Sequence, residues 1–304
     1  MRVLSCLILF CFVSIECSHP EALYVASDYV YVGSYSQELE GPAVDSSGAL
    51  YFVNPDHSGS LGRVDADGNF SIFIDHLPSG STANGIRIDN DGFLFVADYT
   101  GHNILKVNSI TKEVTVYAHE SSANQPNDLT LGSNGLLFAS DPNWSKSTGN
   151  IWKIKPGKFE LIAQDMGTTN GIEISPDGKT LYVNESVQRK VWAIDIDSNQ
   201  KLANKRLLIS FDDFGLDGMR CDVNGNLYIT RYGKGTVVKV SPEGEILKEI
   251  ELKGKKVSNI AFGGKDGRTA YVTLQDRGYI ETFRVETPGQ AFSTRKKVSL
   301  DEIF

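Results

Sequence analysis

The sequence predicts an all-β protein, a six-bladed β-propeller built from four-stranded antiparallel blades. Three observations predict it: one motif is written six times along 304 residues, each copy carries turn-bounded apolar alternation, and no stretch sustains a helical apolar period. The copies open at Glu40 ("EGPAVDSSGALYFVN"), Asn84 ("NGIRIDNDGFLFVAD"), Asn127 ("NDLTLGSNGLLFASD"), Asn170 ("NGIEISPDGKTLYVNE"), Asp217 ("DGMRCDVNGNLYIT") and Asn259 ("NIAFGGKDGRTAYVT"). Their starts are 44, 43, 43, 47 and 42 residues apart. A period of about 40–45 residues with several short strands per unit is the mark of propeller blades.

Within each copy a short alternating strand meets a Gly-containing turn: Ser47-Gly48, Asp91-Gly92, Asn134-Gly135, Asp177-Gly178, Asn224-Gly225 and Asp266-Gly267. A second strand rich in Leu, Tyr, Phe and Val follows, which makes each pair a hairpin. Third strands are read in runs such as "NILKVNS" and "KVWAIDID", fourth strands in runs such as "EVTVYAH" and "RLLISF". For the last unit the fourth strand is expected in "STRKKVSL", residues 293–300. The segment "EALYVASDYVYVGSYS", from Glu21 to Ser36, also reads as strand and is expected to pair with the last blade and close the ring. Such units cannot bury their faces alone, so residues 19–304 are read as one domain without a linker.

Arg2 precedes an apolar run from Val3 to Val13 and a more polar stretch to Ser18. That run falls short of the about 20 apolar residues a membrane-spanning helix needs. It reads as a secretory signal peptide over residues 1–18, which implies a secreted, extracellular protein with no membrane attachment after cleavage. Three of the four cysteines (Cys6, Cys11, Cys17) lie in or at the edge of that segment, so the mature chain is no disulfide scaffold. Cys221 alternates with Met219 and Val223 and is expected as a buried apolar side chain. Sequons at Asn69, Asn143 and Asn184 fit a secreted glycoprotein. A hydrophobic content of 40% supplies a sizeable core, while the net charge of −8 argues against nucleic acid or an anionic membrane as partner.

In a propeller the innermost strand of each blade lines a central channel, so the first residues of the six copies should meet at one mouth. That ring holds Glu40, Asn84, Asn127, Asn170, Asp217 and Asn259 (or Ser258), every one able to offer an oxygen. Two carboxylates with amide oxygens suit a hard cation such as Ca²⁺, with other divalent cations as alternatives. The absence of His and Cys from the ring disfavours softer metals. Asn-Gly and Asp-Gly are also favoured turn pairs, so the same residues can be read as blade-opening turns satisfied by Asx-type hydrogen bonds. The hairpin turn already present about eight residues later, and Asp128 rather than Gly after Asn127, weigh toward a site. His57, His76, His102 and His119 show no ligand spacing among themselves.

The blade openings "EGPAVDSSGALYFVN", "QPNDLTLGSNGLLFASDP", "TNGIEISPDGKTLYVNES", "LDGMRCDVNGNLYIT" and "FGGKDGRTAYVT", in this order and spacing over about residues 35–285, resemble the regucalcin/gluconolactonase family of Ca²⁺-dependent propellers. That family is related more loosely to diisopropyl fluorophosphatase and the paraoxonases. The resemblance implies metal ligands at Glu40, Asn170 and Asp217, with Asn127 as a fourth ligand or a substrate-facing neighbour. Asp217 would activate the attacking water, and Asp128 would support the site from behind. Asn84, Gln125 and Trp144 are the further candidates for substrate contact; Gln125 stands where some sugar-lactone members carry Arg. The implied activity is hydrolysis of a lactone or another small ester. Two rivals differ in class: a non-enzymatic NHL- or YWTD-like propeller that binds protein or carbohydrate, and a phosphotriesterase-like hydrolase on the same Ca²⁺ site.

Overall fold

A computed structural model of the protein describes residues 22–33, 38–132 and 135–293. The signal segment, the three N-terminal cysteines and Ser133-Asn134 of the third hairpin turn lie outside the described residues. The chain forms six four-stranded antiparallel sheets, each sheet one blade. Their innermost strands open in or just before Glu40–Val44, Ala83–Ile88, Leu129–Leu131, Thr169–Ile174, Met219–Cys221 and Val257–Gly263. The six turn glycines all have positive φ, from 72° at Gly178 to 89° at Gly48, a conformation that costs glycine little. Apart from the short helix Gln290–Ser293, the described regular structure is all strand.

Strand alternation explains how so many apolar residues are used at once. In blade 2, Leu94 and Val96 pack toward blade 1 with Tyr51, Val53 and Leu61. Their neighbours Phe95 and Ala97 point the other way and pack with Leu129, Leu137 and Trp152 of blade 3. Successive side chains leave a strand on opposite faces, so each blade is buried on both faces. Among the described residues six apolar clusters arise, one in each gap between neighbouring blades, including the gap where blade 6 meets blade 1.

The ring closes through the N-terminal segment. Ser27–Tyr31 pairs antiparallel with Tyr279–Arg284 and becomes the outermost strand of blade 6. It therefore occupies the place expected for residues 293–300, of which Ser293 ends the short helix and the rest lie outside the described residues. The reason is topological: an N-terminal strand in the C-terminal blade covers the edge of Tyr279–Arg284 and also ties the two ends of the chain together, which a local fourth strand would not do. Cys221 is a buried free cysteine, as its alternation predicts, and burial pushes its thiol up. Of the sequons, Asn69 is exposed and Asn143 half-buried. Asn184 is fully buried and its amide nitrogen donates to the Asp217 carbonyl at 2.5 Å, so the folded chain has no room for a glycan there. Among the described residues no helix is long and apolar enough to cross a membrane.

Candidate functional site

The polar openings sit in or just before the inner strands and are not hairpin turns. In blades 1, 2 and 4 the pairing register shifts between Glu40 and Ala43, Ala83 and Ile86, and Thr169 and Ile172. Each shift is a β-bulge, the device that re-aims a side chain at a strand end. The adjoining glycines have a packing reason. A Cβ on Gly171 would lie 2.4 Å from the Asp217 carbonyl oxygen, and one on Gly218 would lie 2.0 Å from Asn259. Blades 4 and 5 thus approach backbone to backbone at Gly171, and the Asn259 side chain of blade 6 takes the space beside Gly218, room that glycine leaves. The Gly85 amide donates to the Asn127 carbonyl at 2.8 Å and the Gly218 amide to that of Ser258 at 2.8 Å, tying blade to blade.

Glu40, Asn84, Asn127, Asn170 and Asp217 come together on the lining of one cavity of about 500 Å³. Tyr99, Trp144, Tyr232, Ser186 and Gln275 form much of its wall. Asn259 is not on that lining; its amide nitrogen donates to Glu40 at 2.9 Å and holds the carboxylate from behind. The Gly41 amide donates to the same carboxylate oxygen. Gln125 also stands off the lining, with its backbone amide donating to Asp141 at 2.6 Å. The side-chain oxygens of Asn127 and Asn170 are buried and accept no hydrogen bond among the described residues. Buried polar atoms are rarely left so, and two at one cavity floor beside two carboxylates form a donor set open to a cation.

The electrostatics sharpen this. Burial, then the charge of Asp128, push Glu40 up to about 7, against weaker opposition from the Gly41 amide and Asn259. Burial and the adjacent Glu40 carboxylate raise Asp217 well above the usual carboxylate range, although hydrogen bonding with Asn170 pulls it down. Two acids facing one cavity cannot both ionise cheaply.

One layer further down the channel lies a set of charges at equivalent points of three blades. Three residues after Asn84, Asn170 and Asp217 stand Arg87, Glu173 and Arg220, all buried. Arg87 Nη1 reaches Asp128 Oδ1 at 3.0 Å, and Arg220 Nη1 reaches Asp128 Oδ2 at 3.3 Å. Burial pushes Asp128 up, but the two guanidiniums outweigh it and hold the carboxyl below its ordinary value. Glu173, 3.9 Å from Arg87 and hydrogen-bonded by Thr130, is raised by burial. Across both layers four carboxylates (Glu40, Asp128, Glu173, Asp217) face two guanidiniums, so two negative charges remain uncompensated when all are ionised. A divalent cation at the ring balances that sum and accepts the orphaned amide oxygens; the residues present fit such an ion.

His57 and His76, without ligand spacing in sequence, are brought together by two connections of blade 1, with Nε2 of the first 3.1 Å from Nδ1 of the second.

Comparison with known proteins fits this architecture. The gluconolactonase of Zymomonas mobilis is 27% identical over 287 residues, covering 83% of this chain and 80% of that protein. The pentonolactonase XacC of Haloferax volcanii is 27% identical over 228 residues, covering 74% of this chain and 76% of its own. The crystal structure of a calcium-binding regucalcin from Agrobacterium tumefaciens shares the fold with a TM-score of 0.74 at 21% identity, covering 85% and 94% of the two chains. The family model described as the SMP-30/Gluconolactonase/LRE-like region matches residues 39–276, and the chain belongs to that family.

Proposed function

We propose that the protein is a calcium-dependent lactonase that opens a small neutral or weakly polar lactone at the Glu40–Asp217 ring. Its gluconolactonase and pentonolactonase relatives support a lactonase-type hydrolase. The observation that carries calcium dependence is the pairing of two uncompensated carboxylates with two orphaned amide oxygens on one cavity floor. Glu40, Asn170 and Asp217 would hold the ion, with Asn127 as the fourth protein oxygen. When bound, the ion supplies Lewis-acid polarisation of the lactone carbonyl and positive charge for the developing oxyanion.

The chain's own residues do the rest. Asn259 and the Gly41 amide fix the Glu40 carboxylate. Trp144, Tyr99 and Tyr232 offer flat apolar walls that orient a small ring. The Asp217 carboxylate accepts the proton of the attacking water as its oxygen bonds to the carbonyl carbon. The ring C–O bond then breaks, the proton passes to the departing oxygen, and the product is the open hydroxy acid. We also propose secretion, on the apolar Val3–Val13 segment behind Arg2.

The test is acid release from δ-gluconolactone and a panel of aliphatic lactones, measured in a pH-stat with metal analysis of the same samples. Asp217→Asn is expected to lower kcat/KM by about 10²–10³-fold, the loss typical of removing one key electrostatic group. Wild-type protein that holds no calcium at millimolar supply, or an Asp217→Asn variant with unreduced turnover, defeats the proposal.

A further inference from the structure

Blade 1 carries a second group of metal-ligating side chains on the face where the cavity opens. The connection 54–60, between strands Leu50–Val53 and Leu61–Val64, presents His57. The connection 75–82, between strand Phe70–Ile74 and blade 2, presents Asp75 and His76. One ligand atom from each of these three side chains lies within 4.8 Å of the others. The imidazoles are tilted by 42° with centroids 4.9 Å apart, an arrangement that aims ring nitrogens at each other without stacking the rings.

The orientation of His57 is set from behind. Its Nδ1 lies 3.0 Å from the Asp56 carboxylate, which accepts a hydrogen bond from Nδ1–H in the tautomer that keeps the lone pair on Nε2. That nitrogen is the one 3.1 Å from His76 Nδ1. Two imidazole nitrogens at this distance share either a proton or a metal ion. Nitrogen ligands at about 2.0–2.1 Å from a tetrahedral ion stand about 3.3–3.4 Å apart, close to the spacing observed. A carboxylate behind a ligating histidine is the usual support of such sites. The charges also match: two neutral imidazoles with the carboxylates of Asp56 and Asp75 balance one divalent ion.

We propose that His57, His76 and Asp75, with Asp56 positioning His57, form a second cation site that takes a divalent transition metal of the zinc class. Nitrogen donors select zinc, copper or nickel, whereas the all-oxygen ring in the channel selects calcium. The two sites sort two kinds of ion on one face. The second site is a clip: the connection carrying His57 also carries Asn54 and Ser58 of the cavity lining, and Ser58 donates to Glu38. The connection carrying His76 leads into Thr82, Ala83 and Asn84 of the same lining. An ion bridging them fixes one wall of the cavity.

Isothermal titration of the calcium-loaded full chain with zinc chloride tests this, with a parallel thermal melt. Wild type is expected to take up one zinc equivalent and to melt higher with zinc than without. His57→Ala/His76→Ala, at solvent-accessible positions, should keep its calcium-only melting temperature and lose both zinc uptake and the zinc-induced rise. Asp56→Asn should weaken zinc binding about 10-fold or more. Asp217→Asn should leave zinc uptake unchanged. Absence of zinc uptake by wild type, its survival in the double variant, or its loss in Asp217→Asn overturns the proposal.

Discussion

Two layers of buried charge lie three residues apart along the inner strands, and the protein treats them in opposite ways. In the lower layer Asp128 is clamped by Arg87 and Arg220 and its carboxyl is held below the ordinary range. In the upper layer Glu40 and Asp217 form no ion pair among the described residues and repel one another, and burial raises both, with Arg220 only partly offsetting this at Glu40. A buried ion set that is internally paired is finished as structure; one that is left short of positive charge is prepared for something to arrive. The lower layer is therefore internally paired structure, and the upper one is the proposed site.

That contrast breaks most readily with opposite signs of stability change. Arg220→Met removes one clamp from Asp128 and is expected to cost about 3–5 kcal/mol in urea unfolding, the usual penalty for removing one partner of a buried ion pair. Asp217→Asn removes a repelled carboxylate and should raise the stability of calcium-free protein. If both variants destabilise calcium-free protein alike, the distinction between the layers is lost.

A smaller effect sharpens the comparison through pH. Glu40 is raised to about 7 from an ordinary 4.5, so the folded chain binds that proton more tightly than the unfolded one. Its contribution is complete below pH 4.5 and is lost as pH climbs through about 7. Asp128, lowered from 3.8, acts in reverse: its contribution is present above that value and is lost on acidification. Glu173 shares the sign of Glu40 but sits in the lower layer, so the difference between calcium-loaded and calcium-free melts isolates the ring. The melting temperature of chelator-treated protein should fall between pH 4.5 and 7, with that fall reduced in Glu40→Gln and largely removed by calcium. A calcium-independent profile would count against the ring as the ion site.

The smallest expected effect lies in the cavity wall. Trp144 keeps 39% of its surface exposed while lining the cavity. Trp144→Ala should raise KM about two- to tenfold, as one aromatic contact of about 0.5–1.5 kcal/mol is lost, with kcat nearly unchanged. A matching fall in kcat would instead tie Trp144 to the reacting geometry.

The upper layer was legible in the sequence because the repeat fixes register. Aligning six hairpins placed Glu40, Asn127, Asn170 and Asp217 at equivalent points, and equivalent points in a propeller meet. Asn259 aligns as well but holds Glu40, since the strand Val257–Gly263, with a register shift between Val257 and Asn259, brings its amide against the carboxylate. The same alignment contained Arg87, Glu173 and Arg220, and a charged residue amid apolar strand text was the signal for them. What repeats do not encode is how unequal connections fold. Gln125 precedes its inner strand in such a connection and turns to Asp141, away from the cavity lining. His57 and His76 meet because two connections of blade 1 emerge side by side, which no spacing along the chain reveals.

The closing strand gives the ring a history as well as a shape. Ser27 pairs with Thr282, so the sixth blade waits for both ends of the chain. Five sheets form from sequential neighbours, whereas this one joins distant segments, the kind of contact that slows folding. Glu40 of the first blade is steadied by Asn259 of the last. The ring of Glu40, Asn170 and Asp217 is accordingly assembled late, by the same event that seals the propeller, and a chain interrupted before its final blade would keep its hairpins while lacking the residue that steadies Glu40.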